Sequence, residues 1–180
     1  GQTGPQTDKT HHRTTIWRLN TMKNTLGLLL LLAASFGLIS GATAADEGRY
    51  GKQKVVYHVN YYDAKAQTAA LRNIQNHINA VGAENLDLKV VLHGNGVSLL
   101  MEPDTLEGTK MKEANADEQM QAKISGLKNQ GVKFNICANT LKGRKVPMDA
   151  LYDTSEADIV PSGVAEVAYL QGLGYSYVKP

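Results

Sequence analysis

From Lys54 onward the apolar residues change their spacing several times, and each change predicts a change of secondary structure. Lys54 to Asn60 (KVVYHVN) is dense in β-branched and aromatic residues and reads as a first, mostly buried strand. Between Ala64 and Val81 the apolar positions Leu71, Ile74, Ile78 and Val81 fall at steps of three and four. That spacing marks one face of a helix, and Gly82 stops it. Leu86 to His93 (LDLKVVLH) is a second strand, its later half continuously apolar as in a parallel sheet covered on both faces. A turn at His93-Gly94-Asn95-Gly96 and a short apolar segment, Val97 to Met101, follow. Pro103 to Asn115 then reads as a polar loop, longer than most connections in a compact domain: either a functional lid over the strand ends or a mobile insertion.

The second half repeats the alternation. Ala116 to Gln130 predicts a helix with Met120, Ile124 and Leu127 on one face and Gly131 as its stop. Val132 to Cys137 (VKFNIC) is a third strand, followed by a small turn into Leu141 and a basic patch at Lys142, Arg144 and Lys145. Ala157 to Val160 is a fourth, short strand. After Pro161-Ser162-Gly163 a helix runs through Val164, Val167, Ala168 and Leu170 to about Leu173, and Tyr175 to Val178 closes as a last strand. Strands alternating with helices in units of this length imply right-handed crossovers. The fold class is α/β, a three-layer αβα sandwich with a mostly parallel sheet of about five strands.

Not all of the chain belongs to that domain. Met22-Lys23 opens a segment with a positive charge, an apolar run from Leu26 to Ile39 and small residues at Ala42-Thr43-Ala44, the order of an export signal. Residues 22–44 are read as a signal peptide cut after Ala44, and residues 1–21, with His11-His12-Arg13 and Trp17, as a leader or misassigned start. Residues 45–53 are a flexible N-terminus, and 54–180 form a single domain. The apolar run is short for a membrane span of about 20 residues. The mature chain is therefore expected to be exported and periplasmic, with no membrane span.

Composition narrows the function. From Ala45 onward there are 15 Lys and Arg against 16 Asp and Glu, so the +2 charge of the whole chain comes from the leader. No basic stripe points to nucleic acid. One cysteine in an oxidising compartment cannot close an internal disulfide, so Cys137 is a free thiol, a modified thiol or an intermolecular link.

In open α/β sheets ligands collect beyond the carboxyl ends of the strands, where strand order reverses. Three turns stand there: Asn60-Tyr61-Tyr62-Asp63, His93-Gly94-Asn95-Gly96 and Cys137-Ala138-Asn139-Thr140. A sheet order of 2-1-3-4-5 puts the reversal between strands one and three, with Cys137 beside Asn60 and the His93 turn nearby. A thiol facing the amides of its following turn has its thiolate favoured. The other account of Cys137 is a small hydrophobe capping the core. His58, flanked by Tyr57 and Val59, reads as a hydrogen-bonded core histidine; His93 is better placed for chemistry. Gly94 and Gly96 suit a tight turn whose N–H groups cradle an anion but lack a dinucleotide fingerprint. No zinc or copper spacing exists, so neither metal nor cofactor is expected. A serine hydrolase is excluded by the lack of a nucleophile elbow, and Ser162 or Gly163 caps the last helix with Glu166 at its positive end.

The succession VVYHVN, ALRNIQNHINAVG, LKVVLHGNGVSLL, LKNQGVKFNICANTL and IVPSGVAEVAYLQGLGYSYVKP resembles the exported branch of the DsrE/DsrF-like proteins, from Lys54 to Pro180. ICANTL and VPSGVAEVAYLQGLGY are its more specific part. The resemblance implies an αβα sandwich that assembles into homo-trimers or hexamers, and a strand-end cysteine carrying sulfane sulfur as a persulfide, which corresponds to Cys137. The expected function is a thiol-dependent sulfur carrier or sulfurtransferase-like protein of the cell envelope. Asn60, His93, Gly94, Asn95, Gly96, Asn139 and Thr140 are its ligand-binding or supporting residues. Export separates the chain from the cytoplasmic sulfur-relay partners, so donor and acceptor stay open, as does whether it is an enzyme. The alternative is a non-catalytic oligomeric module of the same fold that binds a small ligand.

Overall fold

The computed structural model describes residues 49–180, all within one compact unit, Ala44–Pro180. The leader, the signal peptide and the first residues of the flexible N-terminus lie outside the described residues. The strands are β1 (Gln53–Val59), β2 (Leu86–Leu92), β3 (Lys133–Cys137), β4 (Ile159–Val160) and β5 (Ser176–Val178). The helices are α1 (Ala64–Val81), α2 (Glu118–Asn129), α3 (Ala138–Arg144) and α4 (Gly163–Gly172). All strand pairings are parallel, giving the expected α/β sandwich.

Three of the helices, α1, α2 and α4, begin where side chains satisfy their first amides. Asp63 accepts from the Ala66 N–H at 2.7 Å, Asp117 from Met120 at 2.8 Å and Ser162 from Ala165 at 3.4 Å. The Asp117 cap explains why α2 starts two residues later than its apolar period predicts. The segment after Cys137 is not a small turn: it is the two-turn helix α3, ended by Lys145 in the left-handed region at φ 55°. Asn139, Thr140 and Gly143 give it no apolar period, so its helicity comes from its place between β3 and the Gly94 turn.

The sheet order is β4-β3-β2-β1-β5, not 2-1-3-4-5. The reason lies in the pleat. Val55, Tyr57, Val59, Leu88, Val90, Leu92, Phe134 and Ile136 point to one face and form the large buried cluster with Leu71, Ile74, Ile78, Met120, Ile124 and Leu127. Both long helices thus cover the same face. A right-handed crossover that places α1 and α2 on one side must move the chain in one direction across the sheet, from β1 to β2 to β3. Only α4 crosses back, on the other face, and delivers β5 beside β1. That second face has a small apolar cluster, Val56, Val91, Leu170 and Tyr175, and leaves Val164, Tyr169, Leu173 and Tyr177 exposed.

Residues 103–115 are anchored. Met111 is buried, Leu106 and Ala114 pack against the core, and the Asn115 side chain donates to Tyr62 O and to Gln67 Oε1, both at 2.8 Å. Gln67 is itself fully buried and donates to Tyr61 O at 2.7 Å, tying the segment to the end of β1.

Candidate functional site

Cys137 is the last residue of β3, and its partners follow from the register. Leu92 pairs with Ile136, so His93 comes level with Cys137 on the neighbouring strand, and Cys137 pairs with Val160 on the other side. β2 separates it from β1, so Asn60 is not beside the thiol. Asn60 sits instead at the reversal between β1 and β5, where its carbonyl oxygen accepts from the Lys179 ammonium.

Cys137 is 5% exposed, yet it lines a cavity of about 400 Å³ with His93, Asn139, Thr140, Arg144 and Ser162. Burial pushes the thiol up, but the Thr140 hydroxyl and the backbone N–H groups of Gly163, Thr140 and Asn139 donate towards it and together bring it below its ordinary value. Thr140 is oriented for this role. Its oxygen accepts from the Gly94 N–H at 2.8 Å, which leaves its single proton for the sulfur.

Gly163 is why the amide at the start of α4 can reach the thiol. A Cβ there would lie 2.7 Å from the His93 Cβ and 3.2 Å from the Cys137 Cβ, so only hydrogen fits. Gly96 is equally constrained, a Cβ there falling 2.0 Å from Val59 O. The turn does not present an amide cradle, however. The Gly94 N–H is taken by Thr140 and the Gly96 N–H by His93 O at 3.0 Å, because Gly94 opens a 3₁₀ helix that runs to Leu99. Asn95 turns its side-chain oxygen to Arg144 at 3.3 Å.

The two histidines meet across the strands. Their rings stack with centroids 4.7 Å apart and 20° between planes. His58 bonds the Tyr177 hydroxyl through Nδ1 at 2.9 Å, while its buried Nε2 has no partner. Burial, then His93, then Lys179 bring His58 down to about 4, and burial and Lys179 also lower His93. Both rings are therefore neutral near pH 7. The hydrogen-bonded core role read for His58 holds on one nitrogen only.

Sequence reasoning missed Gly163 as a site residue, and it missed Arg144 as more than part of a surface patch. Gly163 had a sufficient explanation as a helix cap, and only the strand order reveals its proximity to His93.

Comparison with known proteins supplies the family. The chain is similar to the structure of a protein of unknown function, MTH1491 from Methanobacterium thermoautotrophicum. The two share 26% identity at a TM-score of 0.58, covering 72% of this chain and 100% of that one. It also resembles the ychN protein from E. coli at 22% identity and a TM-score of 0.48, over 72% and 97% of the two chains. No curated protein matches it. The family model described as DsrE/DsrF-like matches residues 54–180, the whole of the sheet and its helices, and the chain belongs to that family.

Proposed function

We propose that this protein is a thiol-dependent sulfur carrier of the cell envelope, with Cys137 as the atom that holds sulfane sulfur. The observation that carries the reading is a buried strand-end thiol that lines a cavity beside Thr140 and the start of α4, whose hydroxyl and amides hold it below its ordinary value. The thiolate is the form that attacks sulfur. It attacks the outer sulfur of a donor's S–S bond, that bond breaks, and the displaced fragment leaves with the electron pair. The terminal sulfur of the resulting persulfide carries negative charge near neutral pH and needs donors of the same kind.

The envelope location rests on the signal-like pattern of residues 22–44. Assembly into a homo-trimer or hexamer is supported by the large apolar side chains that α4 and β5 leave exposed, Val164, Tyr169, Leu173 and Tyr177. The burial of Cys137 favours the second reading, a ligand-binding module in which the thiol is incidental.

One experiment separates the two. Incubation with polysulfide adds one sulfur atom at Cys137, read by intact mass and peptide mapping, and Cys137→Ser abolishes the adduct without unfolding the chain. An adduct that forms no faster than on an unstructured cysteine peptide leaves only the binding module.

A further inference from the structure

The cavity beside Cys137 is lined by one formally charged side chain, and that side chain lacks a counter-ion. Arg144, the last residue of α3, is half-buried against it. Its guanidinium donates to two neutral oxygens, Lys110 O and Asn95 Oδ1, both at 3.3 Å. Among the described residues the ion pairs are Lys89–Asp87 and Lys128–Asp153, so no carboxylate neutralises Arg144. No carboxylate lines the cavity either, and neutral His93 adds no charge. Two acceptors leave donors of the guanidinium unused.

A basic last turn has an ordinary explanation in the negative end of its helix. That suffices for Lys142 and Lys145, which are exposed. It does not explain a guanidinium tethered by Asn95 of the turn after β2 and by Lys110 of the 103–115 segment. Those tethers hold a positive charge at the wall that Cys137 shares.

We infer that the cavity admits a small anion and that Arg144 is the residue that selects it, so that the sulfur donor is a small S–S-bonded anion rather than a neutral disulfide. The transfer step rests on the sulfur-carrier reading; the anion site does not. A thiolate approaching an anionic donor meets like charge, and an unpaired cation at the cavity wall offsets that repulsion. The outer sulfur joins Cys137, the donor's S–S bond breaks, and the anionic fragment departs with the electron pair. No oxidant or proton is required.

The test compares two alkylating agents with the same leaving group, anionic iodoacetate and neutral iodoacetamide. Their rate ratio at Cys137 reports the field of the cavity independently of how much thiolate is present. In the folded wild-type chain the ratio exceeds that of the same chain in urea by roughly fivefold or more, and high salt shrinks the excess. Arg144→Gln brings the ratio back to the unfolded value by slowing iodoacetate more than iodoacetamide, and Arg144→Lys retains part of the excess. A folded ratio equal to the unfolded one, or a ratio that ignores Arg144→Gln, overturns the inference. If Cys137 reacts with neither reagent, the sulfur-carrier reading fails, and sulfate titration of Cys137→Ser decides the anion site alone. Amide shifts across residues 139–144 that vanish in the added Arg144→Gln variant sustain it, and unmoved amides overturn it.

Discussion

The same three central strands build two different surfaces. Towards α1 and α2 they show Val55, Tyr57, Val59, Leu88, Val90, Leu92, Phe134 and Ile136, with Gln53 and the Tyr57 hydroxyl meeting His77 at one end. Towards α4 they show Val56 and Val91 together with His58, Lys89, His93, Lys133, Asn135 and Cys137. One residue of offset separates a core position from a polar one, because successive side chains point to opposite faces. Burial on the α1/α2 face supplies the cohesion that lets the α4 face hold costly groups: an orphaned imidazole nitrogen, two neutral stacked histidines and a depressed thiol. Polar chemistry gathers where a single helix provides the cover.

That asymmetry is broken or confirmed first by adjacent substitutions on β3. Phe134 is 1% exposed and belongs to the large cluster. Phe134→Ala costs about 3–5 kcal/mol in urea denaturation. Asn135 faces α4 and donates to Glu166 Oε1 at 2.9 Å. Asn135→Ala costs about 1 kcal/mol. A loss at Asn135 as large as that at Phe134 would mean that both faces bear the fold equally.

The next effect falls on reactivity more than on stability. Gly163→Ala places a methyl group 2.7 Å from the His93 Cβ, so α4 must back away and its amide leaves the thiol. Alkylation of Cys137 by iodoacetamide slows severalfold as the thiol rises, for a loss of about 1–3 kcal/mol in stability. An unchanged rate would show that the α4 amide is a bystander.

The histidine pair gives the α4 face its own pH dependence. His58 is lowered to about 4, so between its unfolded value near 6.5 and 4 the unfolded chain binds a proton that the folded chain refuses. Stability therefore falls as pH drops through that window, by about 1–2 kcal/mol once solvent screening is discounted. Denaturation midpoints measured from pH 7.5 to 4.5 should decline in the wild type and decline less steeply in His58→Gln, where the lowered His93 and His77 supply what remains. Parallel curves would place the titrating groups elsewhere.

Much of this was legible in the residues, and what was not has a physical reason. Apolar period gave α1 at its full length and every strand to within a residue or two, since each is long in pattern or flanked by Gly or Pro. The alternation that decides the sheet order was also present: from Val55 onward the residues of β1, β2 and β3 that face one way are apolar, so two helices belong on that side. It went unused because the hydrophobic runs read as buried on both faces. Cys137 and His93 were legible from their strand-end positions. Gly163 and Arg144 were not, because their roles exist only once β4 lies beside β3 and α3 is a helix. A heptapeptide with no apolar period announces neither.

The smallest effect is the most specific to the thiol. Thr140 accepts the Gly94 N–H and has one proton left, and its hydroxyl helps to lower the Cys137 thiol. Thr140→Val removes that donor but keeps the volume, and the three amides remain. The thiol then rises, since a hydrogen bond that favours its charged form is lost. It also strands the Gly94 N–H, at about 1 kcal/mol, so a shift in Thr140→Val alone could come from movement of the turn. Thr140→Ser separates the two, since it restores both the acceptor for Gly94 and the donor for sulfur without the methyl group. The rate of iodoacetamide alkylation against pH reads the inflection directly. A valine variant shifted upward and a serine variant at the wild-type position assign the effect to the hydroxyl. Coincident inflections in all three chains would leave the amides alone responsible for the depressed thiol.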